Sequence, residues 1–258
     1  MNNIFKNKQF LGILFVIIAF AAITLIYFSP ILEGKRIKQH DIEMYKGMSQ
    51  EINQFREETG EQSLWTNSMF GGMPTWNIGV KQNSNLMNHI NKILNLGFPH
   101  PIGSVFISML GFFILLLVLD CKIWISFIGA LAYGFTSYLF IVIGAGHNSK
   151  AVTMAYMAPV IAGIIMTYKG KYLWGAVLTA IALALEIRAG HIQITYYLFI
   201  MVLIYIIVEL IDAVRNKRFN VFFKASSFLA VAAILAVLTS TIPLYANYEF
   251  GKETMRGK

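Results

Sequence analysis

The stretch ALALEIRAGHIQITYY, Ala182 to Tyr197, interrupts a long apolar run with Glu186, Arg188, His191 and Gln193. Two further polar groups stand beside other apolar runs: His147, Asn148 and Lys150 in GAGHNSKA, and Asp41 and Glu43 in KQHDIEMYKG, while His100 opens a run of its own. A carboxylate such as Asp41 can act as a general base, taking a proton from an acceptor hydroxyl while cationic groups stabilise a departing phosphate. Arg188 offers a bidentate fork and Lys150 a point charge, two cations suited to one phosphate. His147, Asn148, His191, Gln193 and His100 would orient the bound group, and Glu186 would set the geometry of Arg188. Arg188 and His191 are three apart and share a helix face unless Gly190 ends the helix first.

Several of these residues also have plainer readings. Glu186 would simply neutralise Arg188 inside a helical bundle. Asp41 precedes an amphipathic run, where it would cap a helix. Glu43 lies two residues further and would face away from Asp41, so one base with a supporting acid is expected rather than a matched pair. His147, His191 and Asp41 together would suit a divalent metal ion, although no close ligand spacing such as HExxH is present. Gly71-Gly72 reads as a turn rather than a phosphate cradle, because no helix start follows it. Asp120, Glu209 and Asp212 stand next to Lys or Arg and read as solvated helix ends. Tyr196 and Tyr197 suit an interfacial belt.

Composition sets the scaffold that must position these groups. Of 258 residues, 57% are hydrophobic and only 13% charged, which marks a membrane protein. Charge in such a chain reports topology, so the net +8 does not argue for nucleic acid, and no basic tract with interleaved aromatics is present. Cys121 is the only cysteine, which excludes an internal disulfide and a cysteine metal cluster.

Apolar windows of about 18 residues or more predict an all-α polytopic protein with seven spans, near 10–28, 101–119, 123–143, 151–168, 172–187, 194–211 and 225–245. The first is too long for the core of a signal peptide and no small-x-small cleavage site follows, so it reads as a retained anchor. With the N-terminus inside, Lys6, Lys8, Lys122, Lys169, Lys171, Arg215, Lys217, Arg218 and Lys224 fall on the cytoplasmic side. Lys150 and Arg188 alone then occupy the short outer connections, with Lys252, Arg256 and Lys258 in an outer tail. The long segment 29–100 becomes an outer first loop. In it Ile42, Tyr45, Met48, Ile52 and Phe55 mark one helix face ending at Gly60, and Leu86, Ile90, Ile93 and Leu94 mark a second before Gly97, both helices lying along the membrane surface. Between them, Gly71, Gly72 and Pro74 enforce turns, and Trp65, Phe70 and Trp76 suit an interfacial level.

The segments KQHDIEMYKGMSQEI, FREETGEQSLWTNSMFGGMPTW, AGHNSKAVTMAYMAPV and EIRAGHIQITYY together resemble the YfhO family of bacterial membrane proteins, over essentially the whole chain. That family is similar to the GT-C glycosyltransferases, polytopic enzymes that move a sugar from a polyprenyl-phosphate donor to an acceptor at the outer membrane face. The resemblance implies a seven-span module, a catalytic carboxylate near the start of the first outer loop, which maps to Asp41, and a role in glycosylating cell-envelope polymers in the bacterial cytoplasmic membrane. Many GT-C enzymes carry adjacent acidic residues there, whereas Ile42 separates Asp41 from Glu43. Family members also continue through further spans, so the chain reads as the front part of a longer protein. The alternative is a transporter or lipid flippase using the same charges, or a structural partner in an envelope-assembly complex. One-sided placement of the polar residues favours surface chemistry over passage.

Overall fold

In hydrocarbon every backbone N–H and C=O must be satisfied within its own segment, and the apolar runs of this chain do so as helices. The computed structural model describes residues 2–76, 78–80 and 85–254. Arg256 and Lys258 lie outside the described residues, as do the side chains of Lys6 and Lys8.

Helix α1 (Asn2–Tyr27) is followed by a single turn, α2 (Ser29–Leu32), and by α3 (His40–Met48) and α4 (Gln50–Thr59). A hairpin of two-residue strands, β1 (Trp65–Thr66) and β2 (Met73–Pro74), precedes α5 (Leu86–Leu94). The bundle continues as α6 (Ile102–Val118), α7 (Ile123–Gly134), α8 (Ser137–Ala145), α9 (Asn148–Tyr168), α10 (Tyr172–Arg188), α11 (Ile192–Arg215), α12 (Phe219–Leu238) and α13 (Thr241–Lys252). Among the described residues, five helices are long and apolar enough to cross a membrane: Gln9–Tyr27, Ile123–Ala145 taken through the α7–α8 break, α9, α11 and α12. At 17 residues each, α6 and α10 reach about 25 Å, slightly short of a hydrocarbon core.

At the centre stands α9, packed against α10, α6, α12, α11 and α8. Close approach comes from small residues: a Cβ on Gly163 would lie 2.8 Å from the Gly175 carbonyl oxygen, so α9 and α10 touch backbone to backbone. Pro159 inside α9 leaves a gap in the helix ladder, and Gly111 of α6 fits against it, where a Cβ would meet the proline ring at 2.7 Å. On the other side, α1 inserts Phe20 between Phe113 and Phe127, at ring separations of 5.8 and 5.4 Å. Helix α11 turns Phe199, Ile204, Ile207 and Ile211 outward, an apolar face that lipid would cover.

Three predicted elements differ. The span at 123–143 is broken at Phe135-Thr136, just after Gly134 packs against Met109 of α6. The last span begins at Phe219 and stops at Leu238, because Pro243, continued in the same helix, would strike the carbonyl of Thr239. The residues after it form α13. The amphipathic run from Ile42 to Phe55 divides at Ser49, so only Ile52 of its predicted face is fully buried while Tyr45 and Phe55 are exposed. Gly60 does end α4 in the left-handed conformation, at φ 75°.

The two ends of the bundle differ in kind. At one end Lys169 pairs with Asp120 at 2.5 Å, Arg218 pairs with Asp212, and Lys224 sits 4.6 Å from the Tyr172 ring. The other end carries α3, α4, the hairpin, α5 and α13, fastened to the helix ends by side-chain amides such as Asn85, whose Nδ2 donates to the Thr239 carbonyl at 3.0 Å.

Candidate functional site

Positive-φ glycines build the turns that present the polar groups. Gly146, at φ +99°, ends α8, so His147 becomes the residue before α9 and Asn148 and Lys150 occupy its first turn. Gly190, at φ +81°, separates α10 from α11, leaving Arg188 as the last residue of one helix and His191 just before the next. Arg188 and His191 therefore share no helix.

The start of α3 docks on the Gly146 turn. A Cβ on Gly146 would lie 3.1 Å from that of Asp41 and 3.3 Å from that of Gln39, so only glycine gives this approach without displacing α3. Gln39, 8% exposed, donates from Nε2 to the Ile143 carbonyl at 2.5 Å and to Asn148 Oδ1 at 3.0 Å, while Asn148 Nδ2 donates back at 3.3 Å. With α3 so clamped, the Asp41 carboxylate lies 2.9 Å from His147 Nδ1. Asp41 is not a helix cap: Gln39 holds the cap position, and Asp41 is directed at the imidazole instead.

Asn148 also acts on His100. Crowding by protein pushes the His100 pKa below the ordinary imidazole value, and the Asn148 amide oxygen, favouring an imidazole N–H, opposes part of that shift. His191 is also pushed down, mainly by desolvation and further by Lys150 and His147, which places all three within electrostatic reach of one another. Lys150 rests 5.1 Å from the Tyr138 ring centre. Arg188 donates through Nε to Asn88 of α5 and lies within electrostatic reach of Tyr156, whose hydroxyl donates to Asn91 Oδ1 at 2.6 Å. Among the described residues, neither Lys150 nor Arg188 is in an ion pair.

Two cavities open at this end. One, of about 120 Å³, lies between α5, α6 and α9 with Asn91, Asn95, His100 and Tyr156 in its wall. The other, of about 240 Å³, is lined by Asn88, Arg188, Ser240 and Asn247, beneath α13. An apolar groove of about 470 Å³ runs between α9, α10, α11 and α12, and Ile187 lines both it and the Arg188 cavity.

Asp41, His100, His147, Asn148, Lys150 and His191 thus come together, and Arg188 joins the same end through Tyr156 and Asn91. Three other candidates do not. Glu43 faces solvent and pairs with Lys46 at 2.7 Å, which holds its carboxyl below the usual range. Gln193 is exposed and donates to Tyr197 of its own helix at 2.9 Å. Glu186 is fully buried and, among the described residues, neither of its oxygens has a partner at hydrogen-bonding distance, although Thr195 of α11 acts on the carboxyl from beyond it. It neither neutralises nor orients Arg188, because residues two apart point to different sides of a helix. Among the described residues no three His, Cys, Asp or Glu side chains gather as metal ligands; Asp41 and His147 form only a pair.

A buried carboxyl without partners destabilises the fold. Glu186→Met, of similar volume, is therefore expected to raise stability by about 1–3 kcal/mol, measured by thermal unfolding in detergent. A lower midpoint would show that Glu186 has a stabilising partner.

Reasoning from residue types passes over Gln39, Asn88, Asn91 and Tyr156. All are neutral, and nothing in residue type or spacing marks them. Comparison of the chain with protein-family models, with curated proteins and with solved structures finds no match.

Proposed function

We propose that the protein is an integral membrane glycosyltransferase of the GT-C kind, within the YfhO family, transferring a sugar from a polyprenyl-phosphate donor to a cell-envelope acceptor. The observation that carries this reading is the contact between Asp41, from the first long loop, and His147, at the end of the bundle that also holds two cations without carboxylate partners. A proton acceptor beside cations not neutralised by carboxylates is what transfer from a phosphate leaving group requires. Arg188 borders a cavity that shares the lining residue Ile187 with an apolar groove, so an anionic head beside Arg188 and a hydrocarbon tail in the groove would lie on adjacent surfaces. The five long helices with α6 and α10 make seven crossings. Lysines and arginines at the opposite end then face the cytoplasm of a bacterial inner membrane, and α3, α4 and α5 lie along the outer surface, where the exposed Leu86 and Ile93 of α5 meet lipid.

The test is reconstitution of the protein in liposomes with membrane acceptor and a panel of polyprenyl phosphates, each carrying one radiolabelled hexose or N-acetylhexosamine. Label in the acceptor supports the reading. Movement of the intact donor across sealed vesicles without transfer would instead assign a flippase.

A further inference from the structure

We propose that the proton-accepting atom of this site is Nε2 of His147, with Asp41 acting through the imidazole rather than on the acceptor directly. This rests on the glycosyl-transfer reading and changes which residue performs its first step. The carboxylate stands 2.9 Å from Nδ1. An ionised carboxylate only accepts hydrogen bonds, so in the neutral imidazole Nδ1 carries the proton and the lone pair is left on Nε2. Histidine is the side chain most often used as a general base.

The surroundings fit this division of labour. Gln39 and the Gly146 turn fix Asp41, and Gln39 shares its amide bonds with Asn148, the residue after His147. Asp41 is the carboxylate that faces the ring, while His191, on which Lys150 also acts, is a basic group within electrostatic reach of it. Side-chain exposures of 54% for His147 and 44% for Asp41 leave the pair open to an acceptor arriving from solution.

In the reaction, Nε2 takes the proton of the acceptor hydroxyl as that oxygen bonds to the anomeric carbon. The bond from that carbon to the phosphate oxygen breaks, and its electron pair leaves on the lipid phosphate, whose charge Lys150 and Arg188 offset. The imidazolium, stabilised by Asp41, then returns its proton to water.

Two variants and one spectrum test the assignment, with the full chain in lipid. His147→Gln removes the ring. His147→Asn keeps an amide donor near the position of Nδ1, and so keeps a contact to Asp41, but has nothing at Nε2. Both are expected to lower sugar transfer from the labelled polyprenyl-phosphate panel at least a hundredfold. Nitrogen-15 spectra of histidine-labelled wild type, assigned with His147→Asn, are expected to show Nε2 without a proton. Transfer by His147→Asn within threefold of wild type would reduce His147 to a holder of Asp41, overturning the inference and leaving glycosyl transfer intact. A proton on Nε2 would overturn it as well. No transfer by the wild-type protein from any donor would remove the glycosyl-transfer reading, and His147 as its base would fall with it.

Discussion

Asp41→Asn is expected to lower sugar transfer by about 10²–10⁴-fold, the range of general-base catalysis, while the protein still inserts and folds. An asparagine amide can offer either a donor or an acceptor to Nδ1. When the NH₂ group faces the ring, it favours the tautomer whose proton sits on Nε2, where it blocks the acceptor. In either orientation the negative charge that stabilises the imidazolium is lost. Folding should change little, because the pair is half exposed and α3 is held by Gln39 and Gly146 rather than by the ion pair. The measurement is the initial rate of label transfer in liposomes, with the melting midpoint recorded on the same sample. Full activity in a correctly inserted Asp41→Asn protein would remove this carboxylate from the mechanism.

The second large effect is on the scaffold. Gly163→Leu is expected to destabilise the bundle by about 3 kcal/mol or more, the upper range for overpacking, and to abolish transfer as a consequence. A Cβ there would lie 2.7 Å from the Thr179 backbone nitrogen and 2.8 Å from the Gly175 carbonyl oxygen. Backbone atoms cannot rotate aside as a side chain can. Contact is reciprocal, since a Cβ on Gly175 would lie 2.6 Å from the Thr167 nitrogen and 2.7 Å from the Gly163 oxygen. Thr167 and Thr179 bond the carbonyls of Gly163 and Gly175 in their own helices, at 2.8 and 2.9 Å, so no polar group is stranded where the helices meet. Pushing α10 away from α9 would carry Arg188 away from Tyr156. The folded fraction after extraction, followed by size-exclusion chromatography and thermal unfolding, reads the effect. Stability equal to wild type in Gly163→Leu would show that the helices do not meet at these glycines.

Much of the scaffold was legible along the chain because hydropathy is a local sum: nine or ten apolar residues on either side of a point decide whether a helix there can lie in hydrocarbon. Local chemistry also marked the end of α4 at Gly60 and the turn at Gly71-Gly72, where positive φ values of 75°, 74° and 126° suit glycine. Helix breaks were harder to read. Pro243 signals the end of α12 only when its steric reach back to Thr239 is considered, and the Phe135-Thr136 break follows a packing contact between Gly134 and Met109 that lies outside any local window.

For the site, residue types and spacing named Asp41, His147, Lys150 and Arg188 but left all except Lys150 with two readings. Spacing tells which residues share a face of one helix, and nothing about residues 106 positions apart such as Asp41 and His147. Their contact depends on the Gly146 turn, on Gln39 reaching the end of α8, and on glycine-mediated helix crossings that set where every helix end emerges. Glu186 and Arg188, which sequence proximity had joined, are separated by the helix itself, since residues two apart in α10 point to different sides. Composition determined that this chain builds apolar helices; backbone-to-backbone packing, which no single segment encodes, decided which of their polar ends meet.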